Sequence, residues 1–296
     1  MTAFVRKAAE DAVLREDWHE NEDGSRLLLL KYPLLERTGI VEHCFTTRLG
    51  GVSEDIFSTM NLSFTRGDEE AAVRENYRRL ARALGAEVGQ FVCSDQTHTV
   101  NVRRVTAADA GKGLTRERDY RDVDGLITDE PGLVLSTFYA DCVPLYVVDP
   151  VHRAIGMSHS GWRGTAARMG AVTLSAMQEA YGTRPEDVVC AVGPSICKDC
   201  YEVSADVADI FAEEFPGHEQ EILAESEKNS VGMAHADKKY QLDLWKANEI
   251  IFLEAGVRKE HLAVTDICTC CNPKLLFSHR ASHGKRGNLG GFLYLK

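Results

Sequence analysis

Cys142 and His159 stand at the edges of two adjacent apolar runs, in Ala140-Asp141-Cys142-Val143-Pro144-Leu145 and in Ser158-His159-Ser160-Gly161-Trp162-Arg163-Gly164-Thr165. His98, in Gln96-Thr97-His98-Thr99, arrives from an earlier segment. Two imidazoles and a thiolate suit zinc: they fill three corners of a tetrahedron and leave the fourth open, as catalytic zinc sites do, and copper accepts the same donors. The separations from His98 to Cys142 and from Cys142 to His159 match no compact finger, so spacing alone leaves this set open. A cysteine within an apolar run is also commonly a small buried hydrophobe. Asp141, next to Cys142, can orient a histidine or take a proton during turnover, or it can simply end a strand.

Three further features carry charge or thiols. Gly161-Trp162-Arg163-Gly164 joins a strand to a helix, where backbone N–H groups and Arg163 make an anion site or, equally, a tight turn with Arg163 on the surface. Residues 277–288 are the most basic segment of an acidic chain, and Arg280 and Arg286 there can close over a phosphate or lie in a solvated loop. Cys197-Lys198-Asp199-Cys200 and Cys268-Thr269-Cys270-Cys271 form two close pairs, well separated along the chain. They suit a structural four-thiolate zinc site or two independent buried pairs.

The elements that must position these groups follow from periodicity. Strands are expected at 27–32, 41–47, 91–93, 100–105, 125–128, 133–139, 143–148, 154–158, 188–192, 263–267 and 292–295. Val73, Tyr77, Leu80 and Leu84 recur at helical spacing before Gly85, which predicts a surface helix with one buried stripe. Helices are also expected at 164–181, at 204–215 with Ser204 as N-cap, and at 243–255; 216–239 reads as polar and irregular. The stretch 106–122 reads as a loop or lid, and Gly67-Asp68 and Asn61-Leu62 as turn and cap chemistry. Asp149-Pro150 turns 143–148 back on 154–158 as an antiparallel hairpin, which brings Cys142 near His159. Strands and helices mix without a regular βαβ beat, which favours α+β, and no linker divides the 296 residues, so one domain is expected.

Composition narrows the function. With 44% hydrophobic and 27% charged residues the chain is globular, and a net charge of -11 argues against a general nucleic-acid binder. No run approaches the ~20 apolar residues of a membrane helix. The N-terminal segment carries Asp, Glu and Arg throughout and does not read as a secretory signal, and nine cysteines, an odd number, fit a reducing cytoplasm.

Taken together, several blocks resemble the YfiH family, also called the laccase-domain or polyphenol-oxidase-type family. They are His43-Cys44-Phe45-Thr46-Thr47-Arg48-Leu49-Gly50-Gly51-Val52-Ser53, Gln96-Thr97-His98, Ala140-Asp141-Cys142-Val143-Pro144, Ser158-His159-Ser160-Gly161-Trp162-Arg163-Gly164 and Gly193-Pro194-Ser195-Ile196. Cys200-Tyr201-Glu202-Val203 and Cys268-Thr269-Cys270-Cys271-Asn272-Pro273 through Phe277-Ser278-His279-Arg280 extend the match, in the family's order from about residue 40 onward. The resemblance implies an α/β/β/α layered sandwich and a cytosolic zinc enzyme of purine nucleosides. Members are credited with phosphorolysis of adenosine, inosine and methylthioadenosine and with deamination of adenosine. By position, His98, Cys142 and His159 match the family's metal ligands, and Arg48 and Arg163 match the arginines of its Thr-Arg-Gly-Gly-like loop and Gly-Trp-Arg-Gly turn. Two departures stand out: Thr97 and Thr99 flank His98 where members often have Val and Gly, and Cys197-Lys198-Asp199-Cys200-Tyr201 replaces a common Gly-Pro-Cys-His-Tyr segment.

The partners implied are a nucleoside and phosphate, with no nucleic acid and no membrane. Two rival chemistries use the same residues. Cys142 can be a free nucleophile with His159 or His98 as its base, acting on an amide, which suits family members linked to cell-wall precursors. Copper-dependent phenol oxidation is the other, but ten scattered histidines do not supply the paired clusters a multicopper oxidase needs. A metal-stabilised binding protein without an open coordination position is the non-enzymatic reading. Residues 1–25 are expected as a poorly packed extension of the single domain.

Overall fold

The computed structural model describes residues 3–7, 12–230 and 232–296. Two six-stranded sheets dominate it. The first contains β1 (Arg15–Glu20), β2 (Arg26–Lys31), β3 (Val41–Thr46), β4 (Phe91–Cys93), β7 (Val134–Tyr139) and β15 (Leu289–Leu295), in the order β1-β2-β3-β15-β7-β4. The second contains β5 (Val102–Arg104), β6 (Gly125–Thr128), β8 (Val143–Asp149), β9 (Ala154–Ser160), β10 (Val189–Val192) and β14 (Leu262–Val264), in the order β14-β10-β8-β9-β6-β5. A small third sheet joins β11 (Glu202–Ser204), β12 (Leu223–Glu225) and β13 (Lys239–Leu242), in the order β11-β13-β12. The helices are α1 (Pro33–Glu36), α2 (Glu70–Leu84), α3 (Trp162–Ala166), α4 (Met169–Tyr181), α5 (Ala205–Glu214), α6 (Glu219–Ile222) and α7 (Leu244–Glu254).

The layering follows from the two-residue period of strands. On β2, Leu29 packs with Val73, Tyr77 and Leu80 of α2, while Leu30 faces the other way, into a core shared with Leu135, Tyr146 and Met157. On β8, Tyr146 and Val148 enter that inter-sheet core, while Leu145 and Val147 meet Met169 and Met177 of α4 and Phe252 of α7. The result is a helix layer, two sheets and a second helix layer. The central strands of both sheets are covered on both faces, which is why β2, β8 and β9 read as near-continuous buried runs, while the edge strands β1 and β5 are polar and partly exposed.

The antiparallel hairpin forms as expected, with Val143 opposite Ser160 and Pro144 opposite His159. Five local readings differ. The expected helix over 164–181 breaks at Arg168, whose φ is +60°. The two pieces then pack separately: Thr165 hydrogen-bonds with Ser160 and Asn248, and Thr173 with Ser158. Ser204 sits at the N-cap of α5, but its side chain makes no capping bond. The polar span 216–239 contributes α6, which packs against α7, and β12, which pairs with β13 of the small sheet. The last strand begins earlier than its apolar residues suggest, because Gly290 and Gly291 are part of it. A Cβ on Gly291 would crowd Met157 Cε and lie 2.9 Å from the Tyr146 hydroxyl, both from the facing sheet, so glycine there lets the sheets approach. Within 1–25, β1 pairs with β2 over its whole length and Leu14 is fully buried, so this segment is packed where it is described.

Candidate functional site

Cys142 lies just before β8 and His159 near the end of β9, so the hairpin register alone sets them side by side. His98 comes from the turn after β4, on a left-handed backbone with φ +67°. Gln96 anchors this turn: its Nε2 donates to the carbonyl of Phe138 at 2.7 Å, and its Oε1 accepts the Phe138 N–H at 2.6 Å. Asp124, fully buried before β6, completes the grip. Its Oδ2 accepts the backbone N–H groups of Thr97 and Thr99, each at 3.0 Å, and the Thr99 hydroxyl at 3.0 Å. Its Oδ1 accepts from His98 N at 3.2 Å and from His159 Nδ1 at 2.8 Å.

With Nδ1 committed to Asp124, His159 presents Nε2 to the site, the tautomer a metal ligand or a base requires. Donor atoms of His98, Cys142 and His159 all lie within 4.8 Å of one another. Cys142 Sγ is 3.9 Å from His98 Nε2. Tetrahedral coordination at ordinary zinc bond lengths sets donors about 3.3–3.8 Å apart, so the Cys142–His98 separation is within a few tenths of an ångström of a coordination edge, and all three donors can converge on one ion with a modest inward shift. The charge on Cys142 agrees with that role, whereas His159 must give up its Nε2 proton before it can bind a metal. Burial pushes the Cys142 thiol up, but the imidazoles of His159 and His98 outweigh it and draw it down to about 6. Burial also pushes His159 down, but the Cys142 thiolate and the Asp124 carboxylate outweigh it and raise the imidazole to about 9. For Asp124, burial is opposed by the His159 hydrogen bond and the amides of Thr97 and Thr99, which hold its carboxyl below the usual range.

The three residues line one part of a cavity of about 370 Å³, within the range of ligand pockets. Phe64, Phe138 and Tyr139 supply apolar wall, and Arg66, Arg118, Arg286 and Asn288 supply polar wall. Arg118 is paired with Asp95 at 2.6 Å. Arg286 is less satisfied: its Nε is buried without a partner among the described residues, and burial together with the neighbouring Arg66 cation lowers its pKa to about 10.

Of the arginines singled out from sequence, only Arg286 lines this cavity. Arg48 braces two loops, donating to the carbonyls of Ser58 and Pro273 at 2.9 and 2.7 Å, with its guanidinium over Phe277. Arg163 is exposed, stacks on Trp162 and borders a separate depression with Arg168, because α3 directs it away from the cysteine and histidines. Arg280 donates to the carbonyls of Cys200 and Glu202 at 3.1 and 3.0 Å. Asp141 does not orient a histidine. Its carboxylate accepts the Thr269 hydroxyl at 2.6 Å and the Arg280 N–H at 2.7 Å, and Asp124 holds the orienting position instead. Sequence reasoning also missed Arg66, in a stretch read only as a turn, and Arg118, in the expected lid. The one available signal for Asp124 was a carboxylate directly before the short Gly125-Leu126-Ile127-Thr128 strand.

Comparisons with known proteins identify the family and the fold. The profile of the family described as "Multi-copper polyphenol oxidoreductase laccase" matches residues 42–296. The chain is 34% identical over 256 residues to "Purine nucleoside phosphorylase YlmD" of Bacillus subtilis, covering 85% of this chain and 87% of that one. It is 37% identical to a "Purine nucleoside phosphorylase" of Deinococcus radiodurans, covering 87% and 90%. The crystal structure of YlmD from Geobacillus stearothermophilus superposes with a TM-score of 0.83 at 31% identity, covering 97% of this chain and 100% of that one. The layered fold is therefore shared along nearly the whole chain, and the protein belongs to the laccase-domain family, that of YfiH and YlmD.

Proposed function

We propose that this protein is a zinc-dependent, cytoplasmic purine nucleoside phosphorylase acting on adenosine, inosine and methylthioadenosine, with adenosine deamination at the same site. The observation that carries the reading is one cavity holding both the His98, Cys142 and His159 donors and the under-satisfied Arg286 beside Arg66. Relatives of 34–37% identity are named purine nucleoside phosphorylases.

In phosphorolysis a phosphate oxygen bonds to the ribose anomeric carbon while the bond from that carbon to the purine nitrogen breaks, and the base leaves with a proton. Arg66 and Arg286 hold the phosphate dianion, a role guanidinium groups fill through charge-assisted hydrogen bonds. Phe64, Phe138 and Tyr139 offer apolar surface to the base. When bound at His98, Cys142 and His159, zinc supplies a fixed positive charge against which negative charge develops in the transition state. Asp124 keeps His159 in one tautomer and fixes the turn bearing His98, so the donors need little reorganisation.

A second reading rests on the depressed Cys142 thiol beside a protonated His159, the signature of a nucleophilic thiolate acting on an amide. Purified protein incubated with adenosine and with inosine, with and without phosphate, metal-loaded and chelated, separates the two. Phosphate-dependent release of base that disappears on chelation is expected. Absence of turnover in every nucleoside arm rejects the phosphorylase reading and leaves Cys142 as a metal-free nucleophile.

A further inference from the structure

Away from the cavity, four thiols converge. Cys197 and Cys200 lie in the connection from β10 to β11, and Cys268 and Cys271 in the connection from β14 to β15. β10 and β14 are parallel neighbours, with Cys190 opposite Leu262 and Val192 opposite Val264, so their ends emerge together. The pairing continues as a bridge between Ser195 and Cys268, with Thr269 N donating to the Ser195 carbonyl at 3.0 Å. Two Cys-x-x-Cys turns, distant in sequence, are thereby held face to face, and their four Sγ atoms all lie within 4.8 Å of one another.

We propose that Cys197, Cys200, Cys268 and Cys271 bind a structural zinc ion as four thiolates, separate from the site in the cavity. The spacing within each pair is that of closed zinc sites, in which each turn contributes two adjacent corners of a tetrahedron. Backbone amides are aimed at sulfur: Cys197 N donates to Cys268 Sγ at 3.2 Å and Cys271 N to the same atom at 3.4 Å, contacts that stabilise thiolate charge. Lys7 adds a cation beside the cluster, bonded to Asp199 at 2.9 Å. The Cys200 and Cys271 sulfurs stand 3.5 Å apart, well beyond the ~2.05 Å of a disulfide but close to the edge of a zinc tetrahedron. The fifth cysteine of the region, Cys270, lies outside the group and packs against apolar residues of the second core.

The ion's role is to tie the two loops that hold the segment before Cys142. Ile196 N donates to the Asp141 carbonyl at 3.0 Å, and Thr269 and Arg280 hold the Asp141 carboxylate. The loops thus brace Asp141, whose φ of +90° aims the chain into Cys142. This assignment does not depend on which reaction the cavity performs.

The test is metal analysis of the full chain purified under reducing conditions. Two zinc ions per chain are expected, one of which survives in the His98→Ala, His159→Ala variant and one in the Cys197→Ser, Cys268→Ser variant. The thiol variant should also melt several degrees lower. Should it fail to fold, cobalt substitution of the histidine variant provides an independent reading: a tetrahedral d–d band with strong thiolate charge transfer is expected. A metal-free histidine variant that takes up no cobalt overturns the proposal, as does a Cys200–Cys271 disulfide found by mass spectrometry in the unreduced protein.

Discussion

Asp124 and His159 are joined twice: the carboxylate receives the imidazole Nδ1 at 2.8 Å, and the Asp124 carbonyl receives the His159 N–H at 2.8 Å. Through its other oxygen the same carboxylate grips the turn carrying His98. One buried group therefore orients two candidate ligands from different parts of the chain.

Asp124→Asn replaces an acceptor by an amide whose N–H₂ faces donors. Loss of such an orienting partner typically costs about 10–100-fold in metal affinity. Competition with a chromophoric chelator should show that loss, with turnover falling in parallel. An unchanged affinity would mean that Asp124 only stabilises the turn.

Gly161 allows the two donors to approach. A Cβ there would lie 3.0 Å from His98 Cδ2 and 3.2 Å from Cys142 Sγ. Gly161→Ala should lower activity at least tenfold while the circular dichroism spectrum stays native. Gly89→Ala, where nothing lies within 4 Å, serves as the control and should match the parent.

Arg66→Ala and Arg286→Ala should each raise the KM for phosphate. Removing a charge-assisted hydrogen bond costs about 1.5–3 kcal/mol, or roughly 10–100-fold. Arg163→Ala, whose side chain borders a different depression, should leave that KM unchanged. The reverse ranking in steady-state kinetics would move the anion site to the Gly161-Trp162-Arg163-Gly164 turn.

His43 predicts a pH dependence of stability. It is enclosed on β3, its Nε2 accepts the Tyr32 N–H at 2.8 Å, and burial pushes its pKa down to about 4. An unfolded histidine titrates near 6.5, so on acidification the unfolded chain takes up this proton first. The contribution is complete above about pH 6.5 and is lost as pH falls toward 4, by at most about 1.4 kcal/mol per pH unit. Urea midpoints across this window should fall less steeply in His43→Gln, which still offers the Tyr32 amide an acceptor; parallel slopes would rule out His43 as the source.

Local chemistry was legible in the sequence. Apolar runs bounded by turn residues located most strands, the helical spacing of Val73, Tyr77, Leu80 and Leu84 located α2, and Asp149-Pro150 located the hairpin that joins Cys142 to His159. These depend on residues within a few positions of one another, where propensity and period act directly. His98 joins that pair by donor type, since two imidazoles and a thiolate suit zinc; spacing left the set open, and the family resemblance made it the preferred one.

Long-range pairing decided the rest. Arg48, Arg163, Arg280 and Arg286 are alike as cations, and only the loops and helix that carry them direct Arg286 into the cavity and the others away from it. Asp141 and Asp124 both flank apolar strands, yet the turn at Asp141 sends its carboxylate to Thr269, while the β6–β9 register sets Asp124 against His159. The two Cys-x-x-Cys pairs were visible as pairs, but only the parallel alignment of β10 with β14 brings them together. Sequence alone thus determined which groups could do chemistry and the local elements beneath them; the sheet order, which depends on contacts far apart in the chain, determined which of those groups meet.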